Sequence, residues 1–305
     1  MKIYDVIVIG GGPAGYTSAI YTSRAGFDTL VIEKISAGGQ MTQTSKIDNY
    51  PGFPEGVDGF ELGTKMLQGA ERFGAKTVQT EVVEVNLKDR IKTISTPDEV
   101  FLTRSVIIAT GAEHRHLGLF NEEKLIGKGV GYCAACDGML YKGKTVTVIG
   151  GGNSAASDAL LLSKICKKVI IVHRRDVLRA EKVYQEPLLK TKNVEFEWNS
   201  TVFEILADNK VNGVRIKNSV KGTEKEIYTD GVFISIGRTP KTDLFSGQLD
   251  IDKNGYIIAD ETTKTCINGV FAVGDVRTKP VRQIVTATAD GATASHFAEE
   301  YLANI

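Results

Sequence analysis

The chain is predicted to be an α/β protein of two doubly wound domains, the second inserted into the first, and three observations carry that expectation. First, residues 6–15 read VIVIGGGPAG and residues 146–155 read VTVIGGGNSA, and the two align without a gap at an offset of 140. Each is an apolar run, three glycines and then a small residue. Second, RSVIIATGA (104–112) and DGVFISIGRTP (230–240) resemble one another as an apolar strand, a glycine and a loop, and read as the return strands that close each domain. Third, GVFAVGDV (269–276) reads as one more buried strand and TADGATASHFAEEYL (288–302) as a helix, both after the second return strand. The first domain is therefore expected to comprise residues 1–114 and 245–305, and the inserted one residues 115–244.

The repeated segment has a specific physical meaning. Gly10, Gly12 and Gly15 are spaced G-x-G-x-x-G, and Gly150, Gly152 and Ala155 follow the same spacing with a permitted alanine. The first glycine makes a tight strand-to-helix turn, the second lets a pyrophosphate approach the backbone, and the third small residue lets helix and strand pack closely. The phosphate then lies on the helix N-terminus. Downstream, YTSAIYTSRAG and ASDALLLSKICKK carry helical apolar spacing, and DTLVIEK and KVIIVHRR return as β-branched strands. Each unit is a βαβ with the glycines at its first turn, the Rossmann-like dinucleotide-binding arrangement. The residue 23 positions past the first glycine is Glu33 in one unit and His173, followed by Arg174 and Arg175, in the other. A carboxylate there accepts hydrogen bonds from ribose hydroxyls and repels a 2′-phosphate, so the first unit suits FAD or NAD. Arg174 and Arg175, with Arg179 a turn later, suit a 2′-phosphate through forked, charge-assisted bonds, so the second unit is expected to prefer NADPH. Asp275, after the late strand, is placed to hold a sugar-like hydroxyl, and the dipole of the following helix faces the strand ends.

Bulk properties narrow the class. The chain has 305 residues, room for about two domains. Lys+Arg and Asp+Glu are equal at 37 each, which gives no electrostatic reason to expect nucleic acid or an anionic membrane as partner. The opening MKIYDVIVIGGG runs straight into a strand without the pattern of a signal peptide, and no apolar run approaches a membrane span, so a cytoplasmic protein is expected.

The stretch VGYCAACDGM (130–139) holds Cys133 and Cys136 with Asp137 directly after them and no histidine within ten residues. Such a pair is half of a zinc site, a structural disulfide or a working dithiol. Zinc needs four ligands, and neither Cys166, expected in the helix after the second glycine turn, nor Cys266, in a distant loop, has a Cys or His at ligand spacing. No metal site is expected, and the cytosolic compartment disfavours a structural disulfide. A redox dithiol is the favoured reading, with Cys166 and Cys266 as small buried hydrophobes. Asp137 is the candidate proton donor when a disulfide is reduced, provided burial raises its carboxyl toward neutrality; the plainer alternative is a turn aspartate in an Asp-Gly pair.

With GGGPAG, GGQ (38–40), DNYPGFP (48–54), ATGA, CAACDG, GGGNSA, HRRD-x-LRAEK, IGRTP and GDVRTKPVRQIVTATADGA in order, the chain resembles the low-molecular-weight, NADPH-dependent thioredoxin reductases of bacteria and archaea, over essentially its whole length. The resemblance implies FAD in the first domain, on Gly10, Gly12, Pro13, Ala14, Gly15 and Glu33, on Gly39, Gln40 and Asn49, on Val83 and Gly111, and on Gly274, Asp275, Arg282, Gln283 and Ile284. It implies NADPH in the second, on Gly150, Gly152, Asn153, Ser154 and Ala155, on His173, Arg174, Arg175 and Arg179, and on Gly237 and Arg238. It further implies a cytoplasmic homodimer, a thioredoxin-disulfide reductase passing electrons from NADPH through FAD to the Cys133–Cys136 disulfide and on to thioredoxin. Cys136 then faces the flavin, Cys133 attacks thioredoxin and Asp137 is the acid. One departure is Ala135, where many members carry threonine; a lost hydroxyl near sulfur shifts the redox poise, and ~30 mV in a two-electron couple is about 1.4 kcal/mol. Dithiol and nicotinamide site share one domain and the flavin lies in the other, so the inserted domain is expected to rotate between half-reactions.

Four rivals remain at this point. A ferredoxin-type reductase or a ferredoxin-fed enzyme lacks a use for the dithiol or for the arginines. The flavoprotein of a peroxide-reducing system usually carries additional N-terminal domains. A non-catalytic NADPH sensor with a cysteine switch binds both nucleotides but turns over no disulfide protein.

Overall fold

The computed structural model describes every residue except Met1 and Ser45 and, of Gln43, the backbone alone. The chain divides into two compact units, residues 1–113 with 239–305 and residues 114–238. The expected crossings were at 114/115 and 244/245. The second lies earlier because the residues just after Pro240 already join the first unit: Lys241 donates its amide to Gly111 O and accepts Thr110 Oγ1 at 2.7 Å, and Leu244 packs on the apolar core. The two crossing segments, Ala112–His114 and Arg238–Pro240, pair as a short ribbon.

In the first unit the strands are β1 (Ile3–Ile9), β2 (Thr29–Glu33), β3 (Lys76–Gln79), β4 (Glu84–Asn86), β5 (Lys92–Ser95) and β6 (Val100–Ile108); the first crossing strand is β7. The main sheet runs β3-β2-β1-β6-β5-β4. β1 lies parallel to both β2 and β6, with Ile9 opposite Ile32 and Ile108. β4 and β5 form an antiparallel meander on β6. Strand β1 is apolar on both faces because both are covered. Val6 and Val8 pack with Tyr16, Ala19 and Ala294 on one side, and Ile7 and Ile9 pack with Leu87, Ile94 and Phe245 on the other. Helix α1 (Pro13–Arg24) starts with proline at its first position, where a missing N–H costs nothing. Helix α2 (Gly59–Arg72) is capped by Asp58, whose carboxylate accepts the amides of Phe60 and Glu61, both at 3.0 Å.

The second unit repeats the plan. Its parallel sheet runs β11 (Val194–Glu197), β10 (Lys168–Val172), β9 (Thr145–Ile149), β15 (Gly231–Ile234), β8 (Val130–Gly131). Between β8 and β9 lies the one-turn helix α3 (Ala134–Asp137); α4 (Asn153–Ser163) joins β9 to β10, and α5 (Lys182–Leu189) follows. Cys166 falls just beyond α4 rather than within it. One face of the sheet packs on α4 through Val146, Val148, Ala159 and Leu162. The other is covered by an antiparallel sheet of β12 (Ser200–Ala207), β13 (Val211–Asn218) and β14 (Glu224–Tyr228), whose Val202, Ile205, Val214 and Ile216 pack on Ile149, Ile170 and Val172.

After the second crossing strand, β16, the chain adds β17 (Val270–Ala272) beside β6, parallel and fully buried, and α6 (Ile284–Ala303). Helix α6 begins four residues earlier than its spacing predicted. Gln283 is its N-cap and exchanges hydrogen bonds with Thr286, a capping box that extends the helix by a turn. In both units the strand order reverses beside the central strand, at β1/β6 and at β9/β15, the place where parallel sheets leave a crevice for a ligand.

Candidate functional site

At the first reversal point, Gly10 adopts φ +107° and a Cβ there would meet the carbonyl oxygen of Ala109 at 2.5 Å, so this tight turn needs glycine. Gly12 has ordinary backbone angles, yet a Cβ added to it meets nothing within 4 Å. The space above it is open, and Gly12 caps α1 without any side-chain hydrogen bond. The amides that open α1, at Ala14 and Gly15, therefore sit at a positive helix end beside an open backbone cradle. Gly39 lines the same cradle, since a Cβ on it would stand 3.4 Å from Cα of Gly12. Gly274 closes another side, 3.0 Å by the same measure from the Ala14 methyl.

Glu33 ends β2, and its Oε2 accepts the amide of Gly11 at 2.5 Å while Oε1 accepts that of Ile35 at 3.0 Å. Each oxygen keeps a further lone pair for a hydroxyl. Gln40 donates to Ala112 O at 2.5 Å. Asn49 donates to Gln283 Oε1 at 3.1 Å, which joins the loop after α1–β2 to the start of α6. The Arg282 guanidinium lies over the Tyr256 ring at 4.1 Å. The first unit thus gathers the residues at Gly10–Gly15, Glu33, Gly39, Gly274 and the N-terminus of α6. Val83 is exposed beyond the end of β3, and Gly111 is open with φ +69°.

Beneath Gly274 lies a polar network that sequence reasoning missed. Asp290, 7% exposed, accepts Gly274 N at 2.8 Å, Arg277 Nε and Nη2 both at 3.0 Å and Lys279 Nζ at 2.8 Å. Burial pushes its carboxyl up, but the hydrogen bonds and charges of Arg277 and Lys279 outweigh it, and the group is held below the usual carboxylate range. An aspartate inside an otherwise small-residue helix, TATADGATAS, was the available signal.

At the second reversal point, Gly150 (φ +148°) packs against the Ser235 carbonyl and Gly152 is open in the manner of Gly12. Asn153 and Glu181 bond reciprocally, Nδ2 to Oε1 at 2.9 Å and Glu181 N to Oδ1 at 2.8 Å, and Ser154 is exposed beside them. His173 is 4% exposed, with its ring against Gly151 and Nε2 without a hydrogen-bond partner among the described residues. Burial and the charges of Arg179, Arg174 and Arg175 lower its pKa, only partly countered by a backbone bond to Val177. The three arginines are exposed, and the amide of Arg179 donates to Gly151 O at 2.7 Å, which brings its loop back to the glycine turn. Also missed was Asp158, which accepts Ser235 Oγ at 2.6 Å; burial raises its carboxyl, while Ser235 and nearby Arg238 pull it back down.

In the same unit, Cys133 and Cys136 form a disulfide with Cα atoms 5.2 Å apart. Cys133 is the N-cap of α3, its Sγ accepting the amide of Cys136 at 3.2 Å. Asp137 ends α3 rather than sitting in an open turn, and burial raises its carboxyl. The Tyr141 hydroxyl is likewise raised by burial, with Asp137 and Asp230 adding to it. Of the other cysteines, Cys166 is buried, but Cys266, expected to be buried, is exposed; it lies in the turn before β17, where its Sγ lies 3.9 Å from Gln248 O.

The model of the pyridine nucleotide-disulphide oxidoreductase family matches residues 4–291. A thioredoxin reductase of Listeria monocytogenes is 48% identical over 302 residues, covering 99% of this chain and 94% of that one. One from Bacillus subtilis is 45% identical with 99% and 95% covered. Among solved structures, the thioredoxin reductase of Streptococcus pyogenes superposes with a TM-score of 0.93 at 40% identity, covering 99% of each chain.

Proposed function

The chain belongs to the pyridine nucleotide-disulphide oxidoreductase family, and from that premise we propose that it is a low-molecular-weight thioredoxin reductase that uses NADPH and FAD. The observation that carries this reading is the Cys133–Cys136 disulfide beside a half-buried Asp137, in a unit that also bears a glycine turn followed by arginines.

The first unit suits a flavin dinucleotide. Gly12 leaves room that a methyl group would fill, α1 presents its opening amides there, and Glu33 offers carboxylate lone pairs to ribose hydroxyls. Bound there, FAD supplies a two-electron carrier between a hydride donor and a disulfide. In the second unit Gly152 admits a pyrophosphate, and Arg174, Arg175 and Arg179 are exposed to grip a 2′-phosphate. Two electrons break the Cys133–Cys136 bond, and the two sulfurs take up protons to become a dithiol. Cys133 then gives up its proton to solvent and, as thiolate, attacks the thioredoxin disulfide, so that a mixed disulfide forms and one thioredoxin sulfur leaves. Asp137 gives that sulfur its proton, a task for which its raised pKa fits it. Cys136 attacks Cys133, which releases thioredoxin as a dithiol and restores the original bond. The sum is NADPH, a proton and oxidised thioredoxin converted to NADP⁺ and reduced thioredoxin.

The test is NADPH-dependent reduction of thioredoxin by the flavin-loaded protein. Cys133→Ser should abolish it while leaving flavin reduction by NADPH intact, and the double change Arg174→Ala with Arg175→Ala should erase the preference for NADPH over NADH. A Cys133→Ser protein with wild-type turnover would exclude the dithiol route.

A further inference from the structure

Tyr132 sits between two parts of the dithiol site. On one side is Gly131, where an added Cβ would stand 3.2 Å from Asp137 Oδ2. On the other is Cys133, the cap of α3. The backbone here is fixed by β8, whose Val130 and Gly131 pair with Val232 and Phe233 of β15.

The Tyr132 side chain is held from three directions. Its hydroxyl donates to Glu122 Oε1 at 2.6 Å. Its ring stacks on His114 at 4.8 Å between centroids. His116 Nδ1 lies 2.9 Å from the hydroxyl. A phenol has one proton, and here it goes to the carboxylate, so His116 presents an N–H to the phenol oxygen. Burial and the Glu122 carboxylate raise the Tyr132 pKa, which keeps the hydroxyl a donor.

Glu122 lies in NEEK, a run that reads as solvated charge, yet it is 1% exposed. Its carboxylate accepts the amides of Leu117, Gly118 and Leu119 at 3.0, 2.9 and 3.3 Å in addition to Tyr132. A carboxylate buried this far is tolerated only when its lone pairs are filled. Three of its four donors brace its own loop. The fourth comes from the residue preceding Cys133.

We propose that Tyr132 and Glu122 are positioning residues for the Cys133–Cys136 couple, clamping the chain just before Cys133 so that the disulfide is favoured over the dithiol. This rests on Cys133 and Cys136 being the redox pair. Once the S–S bond is broken, only the short backbone through Ala134 and Ala135 ties Cys133 to Cys136, and it leaves the two sulfurs free to separate. A clamped Cys133 stays within reach, so the effective concentration of one sulfur for the other stays high. Without the clamp, ring closure has to re-order that segment, and the equilibrium moves toward the dithiol.

The experiment equilibrates the full-length, flavin-loaded protein in glutathione buffers and counts the Cys133 and Cys136 thiols by mass after alkylation. Tyr132→Phe should shift the disulfide–dithiol constant about tenfold toward the dithiol, a potential ~30 mV higher. Glu122→Gln, which keeps the shape and removes the charge, should shift it in the same direction. Ile205→Val, in the apolar core of the same unit, should lower the thermal midpoint and leave the constant unchanged. Clamp variants within twofold of wild type overturn the proposal while leaving the reductase reading in place. A wild-type pair that never equilibrates with glutathione overturns both.

Discussion

Asp290→Asn isolates the charge of the network beneath Gly274 without opening a cavity. The wild-type carboxylate takes four donors, three of them from Arg277 and Lys279, whose side chains are 4% and 6% exposed. The amide removes the carboxylate that the two buried cations share and turns its own N–H₂ toward donors. Removing one partner of a buried pair costs about 3–5 kcal/mol, a large part of a total stability of ~5–15 kcal/mol. Urea unfolding at pH 7 measures it, with far-UV dichroism following the helices. Trp198, the single tryptophan, lies in the other unit and reports on that unit separately. Asp290 has its pKa depressed in the folded chain, so its contribution is complete above the unfolded value of about 3.9 and is lost as pH falls through the folded value. The difference between wild type and Asp290→Asn should therefore hold from pH 7 to about 5 and shrink in stronger acid. A difference under about 1 kcal/mol at pH 7, the size of an exposed pair, would refute the view that this network is a buried, charge-dependent support.

Two further expectations concern glycine and sulfur. Gly12→Ala meets no atom within 4 Å and has backbone angles any residue adopts, so the apoprotein should unfold within about 1 kcal/mol of wild type; the methyl fills the cradle, and flavin affinity should fall at least about tenfold by titration of apoprotein. In the oxidised protein a maleimide should label one thiol rapidly, and Cys266→Ser should remove it, because Cys266 is exposed while Cys166 is buried with its thiol pushed up to about 11. Fast labelling of two thiols would contradict the burial of Cys166.

The elements that were legible in the sequence are those whose physics is local. The turn at Gly10, the apolar run of β1 and the helical spacing of α1 each follow from a few adjacent residues, and their repetition at Gly150, β9 and α4 doubled the signal. The antiparallel cover of the second unit was not read. Its outer faces carry Glu204, Arg215, Lys217, Glu224 and Glu226, which look like solvated charge in sequence but are cross-strand pairs, as in Arg215 between Glu204 and Glu226 at 2.8 Å each. The period-two alternation of Val214 and Ile216 was the signal that distinguished a strand there. Carboxylates were the weakest point. Asp158, Glu122 and Asp290 acquire their roles from Ser235, Tyr132 and Gly274, partners that only the folded chain brings to them.

Glu33 and His173 show why equal positions in a repeat do not do equal work. Both stand 23 residues past the turn glycine at the end of the second strand. Glu33 reaches the Gly11 amide and leaves lone pairs over the first cradle. His173 lies with its ring against Gly151, too buried for a charge, and three arginines beside it favour the neutral imidazole. A carboxylate in its place would be a negative charge beside the very guanidiniums proposed to hold a 2′-phosphate. A neutral ring fills the volume, keeps the turn packed and leaves Arg174, Arg175 and Arg179 uncompensated by it. The proposed preference of the second unit for NADPH over NADH therefore rests as much on the missing anion at position 173 as on the arginines that follow it.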